Sequence, residues 1–128
     1  MSRGVLDASA LLVLLNQERG SERIAAIIAD KATISTVNFS EVVAKLSNDG
    51  VPNEMLHDLL DAFELEVIDF DTELAYQTGL LRPLTRHAGL SLGDRACLAL
   101  AQHLRLPALT TDRVWETLSL GIPVQVIR

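Results

Sequence analysis

Val5-Leu6-Asp7-Ala8-Ser9-Ala10-Leu11 sets the pattern of the chain: a short apolar run, an acid, then the first turn of an apolar helix. Residues 4–6 are too few for a helix and read as a strand. Residues 8–16 read as a helix, and the polar stretch 18–20 ends it. The unit recurs. Residues 32–35 form a second strand, and residues 37–48 a helix that Asn48-Asp49-Gly50 stops. Residues 66–69 form a third strand, followed by a helix that Asp71 caps and that runs to Leu84, bent or ended by Pro83. Residues 108–109 form a fourth, followed by a short helix over 112–118. Residues 124–127 close the set behind Pro123, where a missing amide donor is tolerated. Further helices are predicted over 21–29, with Ile24, Ile27 and Ile28 on one face, and after Pro52, with Met55, Leu56, Leu59, Leu60 and Phe63 at helical spacing. Gly89 and Gly93 bracket a loop before a strongly apolar helix over 94–104. Strands alternating with helices predict an α/β fold: one domain over 1–128, in three layers, with a mainly parallel five-stranded sheet between helices.

Composition narrows the class. An apolar fraction of 48% against 22% charged residues implies a globular chain, and aromatics at 4% imply an aliphatic core. Cys97 is the single cysteine, so an internal disulfide and a cysteine-based metal site are both excluded; it reads as a buried structural thiol. Asp7 interrupts the apolar N-terminal region, and no small-residue cleavage site precedes Glu18, Arg19, Glu22 and Arg23, so no secretory leader is expected. No apolar run approaches spanning length, so no membrane role is expected, and a reducing cytoplasmic location fits. The net charge of −6 argues against a surface that grips nucleic acid everywhere.

In a doubly wound sheet, ligands bind beyond the carboxyl ends of the strands. Four acids map there. Asp7 follows the first strand, and Asp112 follows the fourth after Thr110 and Thr111. Glu41 lies one turn into the helix after the second strand, and Asp94 begins the helix that leads to the fourth. Each has a purely structural alternative. Asp7 and Asp112 suit helix caps. Asn38 with Glu41, and Ser91 with Asp94, have capping-box spacing, and Glu41 with Lys45 suits an ion pair. Together they point to an oxygen-only site. Clustered carboxylates raise one another's pKa unless a cation sits among them, and such ligands suit Mg²⁺ or Mn²⁺ rather than zinc. An ion so held activates water and neutralises phosphate, which is the chemistry of phosphodiester hydrolysis. Part of the negative charge then belongs to the site, and substrate is held by a local basic rim, for which Arg82, Arg86, His87, Arg95 and Arg113 are candidates; each also suits a solvated surface.

Four segments in order, Val5 to Leu11, Ser35 to Val42, Leu90 to Ala101 and Leu109 to Trp115, resemble the PIN-domain family and, within it, the VapC-type toxins of type II toxin–antitoxin systems. The resemblance spans essentially the whole chain. It implies a PIN-like fold and a Mg²⁺-dependent endoribonuclease, with Mn²⁺ as a substitute, that hydrolyses RNA by metal-activated water. It implies Asp7, Glu41, Asp94 and Asp112 as the catalytic and metal-binding quartet. Asp7, Asp94 and Asp112 would hold the ion, and Glu41 would act through water. Ser9, Thr110 and Asn38 would support the site, although Asn38 equally suits a helix cap. Arg95 and Arg113 are the candidate substrate contacts. Glu116 either adds a carboxylate or is an exposed helix position. Trp115 either stacks on a base or packs inside. The resemblance further implies a homodimer and a small cognate antitoxin. His57, His87 and His103 are scattered without ligand spacing.

Other α/β classes fit less well. A phosphorelay receiver needs a lysine after a late strand, and Lys31 and Lys45 are both early. A haloacid-dehalogenase-type phosphatase needs a second Asp two residues after the first, where Ser9 stands. The remaining alternative is a catalytically silent binding module on the same scaffold.

Overall fold

The computed structural model describes residues 2–127; Met1 and Arg128, the ends of the domain expected over 1–128, lie outside the described residues. Among these residues are five strands, β1 Val5–Leu6, β2 Thr33–Ser35, β3 Glu66–Ile68, β4 Ala108–Thr110 and β5 Val124–Val126. They form one sheet in the order β3-β2-β1-β4-β5, and every neighbouring pair is parallel. The expectation of a mainly parallel sheet is thus met by a wholly parallel one.

The central strand shows why the layers form. Successive strand residues point to opposite faces. Leu6 packs with Leu11, Ile24, Ile34, Val42 and Leu109, beneath α1 (Ala8–Leu15), α2 (Ser21–Asp30), α3 (Thr36–Asn48) and α4 (Asn53–Asp61). Val5 faces the other way, onto Leu74, Cys97, Leu98, Leu100 and Trp115, beneath α5 (Thr72–Leu80) and α7 (Leu92–Leu104). A parallel sheet covered on both faces favours apolar strands; the central β1, Val5–Leu6, is wholly apolar, and the other strands each carry one or two polar residues.

The helix expected from Asp71 through Leu84 is two helices. Asp71 caps α5 by accepting from the Leu74 amide at 2.9 Å, but α5 ends at Leu80, and the short α6 (Arg82–Thr85) carries Pro83 in its first turn. Pro83 has no N–H and its ring would strike the carbonyl one turn back, so the break falls just before it. Helix α7 begins at Leu92, not Asp94, with Ser91 as its cap; Gly93 lies inside the helix rather than in a loop. The segment after Asp112 is a 3-10 helix, Arg113–Thr117. In α4, Leu56 and Leu60 are buried, whereas Met55 and Leu59 face outward.

The strand order places the functional edge. The chain winds outward from β1 through β2 to β3, then crosses to β4 on the other side of β1. The topological switch therefore lies between β1 and β4, whose carboxyl ends carry Asp7 and Thr110.

Leu98 is fully buried and Leu84 is 59% exposed. Leu98→Ala should lower unfolding free energy by roughly 3 kcal/mol, and Leu84→Ala by under about 0.5 kcal/mol, measured by urea denaturation. Equal losses would refute the assignment of the α7 face as core.

Candidate active site

Asp7 is the first residue beyond β1 and the N-cap of α1. Its Oδ1 accepts from the Ala10 amide at 2.8 Å and from Ser9 Oγ at 2.7 Å; its Oδ2 accepts from Thr110 Oγ1 at 2.6 Å. Both hydroxyls are held in turn. Ser9 Oγ accepts from the Thr111 amide at 3.1 Å, and Thr110 Oγ1 accepts from the Asp112 amide at 3.1 Å. Asp7 is only 4% exposed. Burial pushes its carboxyl up to about 6, against the lowering effect of the hydrogen bonds from Thr110, Ser9 and Ala10, and the nearby charge of Asp94 adds to the rise.

The second wall comes from α3 and α7. Ser35 caps α3 by accepting from the Val37 amide at 3.1 Å. Asn38 is therefore not the cap that its spacing suggested. It sits within the first turn of the helix, 1% exposed, and its Nδ2 donates to Glu41 Oε1 at 2.8 Å and to the Gly93 carbonyl at 3.0 Å. Asn38 thus fastens Glu41 to the start of α7. The expected Glu41–Lys45 pair does not form; Lys45 pairs with Asp49 at 3.2 Å instead. Asp94 completes a capping box with Ser91, its Oδ2 accepting from the Ser91 amide at 3.0 Å.

Burial pushes the Cys97 thiol up, and the charges of Asp7, Asp94 and Glu41 add to the rise, so three of the four acids bear on this buried thiol, which lies 3.7 Å from the Val5 carbonyl of β1. Asp112 joins them through its backbone, by the bond to Thr110; its Oδ1 accepts from the Val114 amide at 3.0 Å and caps the 3-10 helix. Among the described residues, no group of three or more His, Cys, Asp or Glu side chains is placed to hold a metal ion. Carboxylate oxygens are nonetheless the donor type of hard divalent cations, which take one or two carboxylates directly and reach others through water. The buried Asn38 Oδ1 has no hydrogen-bond partner, an acceptor suited to such a water beside Glu41.

The PIN-domain family model matches residues 4–119. The chain belongs to the PIN-domain family. PIN domains are generally nucleases. The fold is similar to that of a chain in the DNA-bound VapBC of Salmonella typhimurium, with a TM-score of 0.77, 21% identity and 100% of each chain covered. It is also similar to a chain of a toxin–antitoxin complex from Klebsiella pneumoniae, with a TM-score of 0.73, 22% identity and 98% of each chain covered. A third likeness is to VapBC2 from Rickettsia felis bound to a promoter DNA fragment, with a TM-score of 0.73, 17% identity, and 94% of this chain and 96% of the other covered. No curated protein matches the chain significantly.

Around this PIN-domain site the candidate substrate residues are spread unevenly. Arg95 turns away to α5, where its Nη1 donates to the Thr78 carbonyl at 3.1 Å and its buried Nε has no partner. Arg113 is exposed on the 3-10 helix after Asp112, and the segment carrying Arg86 and His87 packs against that helix. Arg82 is exposed on α6, and Glu116 is exposed too. Trp115 is 1% exposed and belongs to the core, so it cannot stack on a base. A cleft of about 610 Å³ opens beside Glu41, lined also by Thr36, Phe70, Leu92 and Gly93; Asp7, Asp94 and Asp112 do not line it. A larger hollow of about 780 Å³, lined by residues such as Ile28, Lys31 and Phe63, lies at the opposite edge of the sheet, before β2 and β3, remote from the carboxylates. Among the described residues, no helix is long and apolar enough to cross a membrane.

The Asp7 shift makes a sign-definite prediction for metal-free protein. The folded state holds this proton more tightly than the unfolded chain does, since about 6 exceeds 3.8. Its contribution is therefore complete below about pH 4 and is lost as pH rises through 6, a difference on the order of 3 kcal/mol. In chelator, Asp7→Asn should gain melting temperature relative to wild type as pH rises from 4 to 7. A pH-independent difference would show that Asp7 is not held in this way.

Proposed function

We propose that this chain, taken as one domain over 1–128, is a divalent-metal-dependent endoribonuclease and the toxin half of a toxin–antitoxin pair. The observation that carries the reading is the Asp7 carboxylate. It is buried at the switch point of a parallel sheet, locked by Ser9 and Thr110, and it has Asp94 as a charged neighbour. A stability-driven fold has little reason to bury an acid that destabilises the apo protein at neutral pH. A bound cation gives it one. Asp7, Asp94 and Asp112 are the proposed ligands, with Glu41 acting through water.

Held by Asp7, Asp94 and Asp112, Mg²⁺ or Mn²⁺ would supply positive charge to neutralise phosphate and acidify a water. The chain's own residues prepare the rest. Ser9 and Thr110 fix the Asp7 oxygens, so the carboxylate need not reorganise when it loses its proton. Asn38 holds Glu41 toward the start of α7. The cleft beside Glu41 gives a phosphodiester access to that edge. Arg113, with Arg86 and His87 in the neighbouring segment, supplies local positive charge on a chain whose net charge is −6. RNA is the proposed substrate. The VapBC complexes of similar fold support a cognate antitoxin partner, and homodimer formation in the cytoplasm is part of the same proposal.

Purified protein should cut RNA with Mg²⁺ or Mn²⁺ and stop with chelator. Asp7→Asn and Asp94→Asn should each lower the rate by more than about 100-fold with the fold intact by circular dichroism. Wild-type rates in both variants would overturn the assignment. Because the ligands must be deprotonated, the metal-induced rise in melting temperature should be larger at pH 7 than at pH 5. A rise that is equal at both pH values would remove Asp7 from the ligand set.

A further inference from the structure

Gly93 is the second residue of α7, and it is buried. Its φ is not among the positive values of the chain, so neither a turn nor a left-handed backbone requires glycine there. By helix propensity alone, alanine is the better residue. What the position lacks is room. A Cβ there would stand 2.5 Å from Glu41 Oε1 and 2.6 Å from its Cδ, and would also strike Oε2. The Glu41 carboxylate occupies the space of the missing side chain. Asn38 Nδ2 pins it there, bridging Glu41 Oε1 and the Gly93 carbonyl, and the next residue in the chain is Asp94.

We propose that Gly93 is a positioning residue for Glu41: its missing side chain lets this carboxylate lie against the start of α7 beside Asp94, and a single methyl group would turn it out of the acidic site. The importance of that displacement rests on the nuclease reading above. The fold survives the change because the clashing atoms are the far end of a flexible side chain on an exposed residue, which has other rotamers open to solvent. Stability and site geometry are thus separable at this one position. Replacements that damage an active site usually damage packing as well; Gly93→Ala should not.

The test compares wild type, Gly93→Ala, Glu41→Ala and the double variant, with three measurements. In metal-free protein, the Asn38 side-chain amide resonance should move in Gly93→Ala toward its position in Glu41→Ala, because the same acceptor is lost. The melting temperature of Gly93→Ala in chelator should be unchanged, or raised by up to about 4 °C. The Mn²⁺ midpoint for thermal stabilisation, and RNA cleavage with it, should weaken by about 10- to 100-fold. On the Glu41→Ala background, Gly93→Ala should add nothing to that loss. An unmoved Asn38 resonance, a melting temperature lowered by more than about 4 °C, or full additivity of the two substitutions would each overturn the proposal. A wild-type protein that neither responds to Mn²⁺ nor cuts RNA would overturn the nuclease reading instead, and the Asn38 resonance would still decide the role of Gly93.

Discussion

The structure turns on one buried carboxylate at the end of its central strand. Asp7 stands where the chain passes from β1 into α1, and it is almost wholly removed from water. Such a group is costly unless its oxygens are paired. Three donors converge on it: an amide from the helix it caps, a hydroxyl from that same helix, and a hydroxyl from β4. The last crosses the topological switch. It ties the neighbouring strand to the cap, and through the Asp112 amide it sets the start of the following 3-10 helix. One side chain thus links the central strand, its helix and the adjacent crossover. It also determines where other acids must stand to meet it.

The coincidence of helix caps with candidate ligands has a physical basis. A carboxylate has two oxygens and about four acceptor sites, and a cap uses only one of them. Asp94 gives Oδ2 to the Ser91 amide, and Asp112 gives Oδ1 to the Val114 amide; in each, the second oxygen makes no hydrogen bond among the described residues. The cap fixes the side-chain torsions, and the free oxygen is thereby aimed without further support. In a parallel α/β sheet the starts of helices crowd along the carboxyl edge, so the residues that end the helices properly are the ones that can share an ion. The structural and chemical explanations of each acid are therefore complementary. The partial positive charge of each helix start also moderates the repulsion among them.

Much of this was legible from the sequence because its causes are local or periodic. The apolar central strand Val5–Leu6, the acid Asp7 that follows it, and the caps at Asp7, Asp71, Ser91 and Asp112 all come from rules within a few residues. The errors arose where a distant residue decides. Gly93 read as a loop residue because glycine usually marks one; its cause is the Glu41 carboxylate, far off in the chain. Asn38 read equally as a cap and as a residue that supports the site; Ser35 takes the cap, and Asn38 bonds across to α7. The Ser35-Thr36 pair at the end of a strand was the available signal. Arg95 read either as a candidate rim residue or as a solvated charge, since nothing local shows that α5 offers the Thr78 carbonyl beside it. Pro83 marked the break correctly, but whether the helix would bend or restart depended on packing.

The acidity of the chain follows from the same arrangement. A surface meant to attract a polyanion over its whole extent would be basic, and long-range attraction would then do much of the binding. Here the carboxylates Asp7, Asp94 and Glu41 repel phosphate as long as they stand uncompensated. On the proposed function, protonation of Asp7 or a bound cation would lower the local negative charge, and the exposed Arg113 with the packed segment carrying Arg86 would then weigh more at that edge. On that proposal, affinity for nucleic acid would be conditional on cation occupancy in a way that surface lysines alone would not produce. The buried Asp7, whose carboxyl burial pushes up to about 6, would be the residue through which that condition acts.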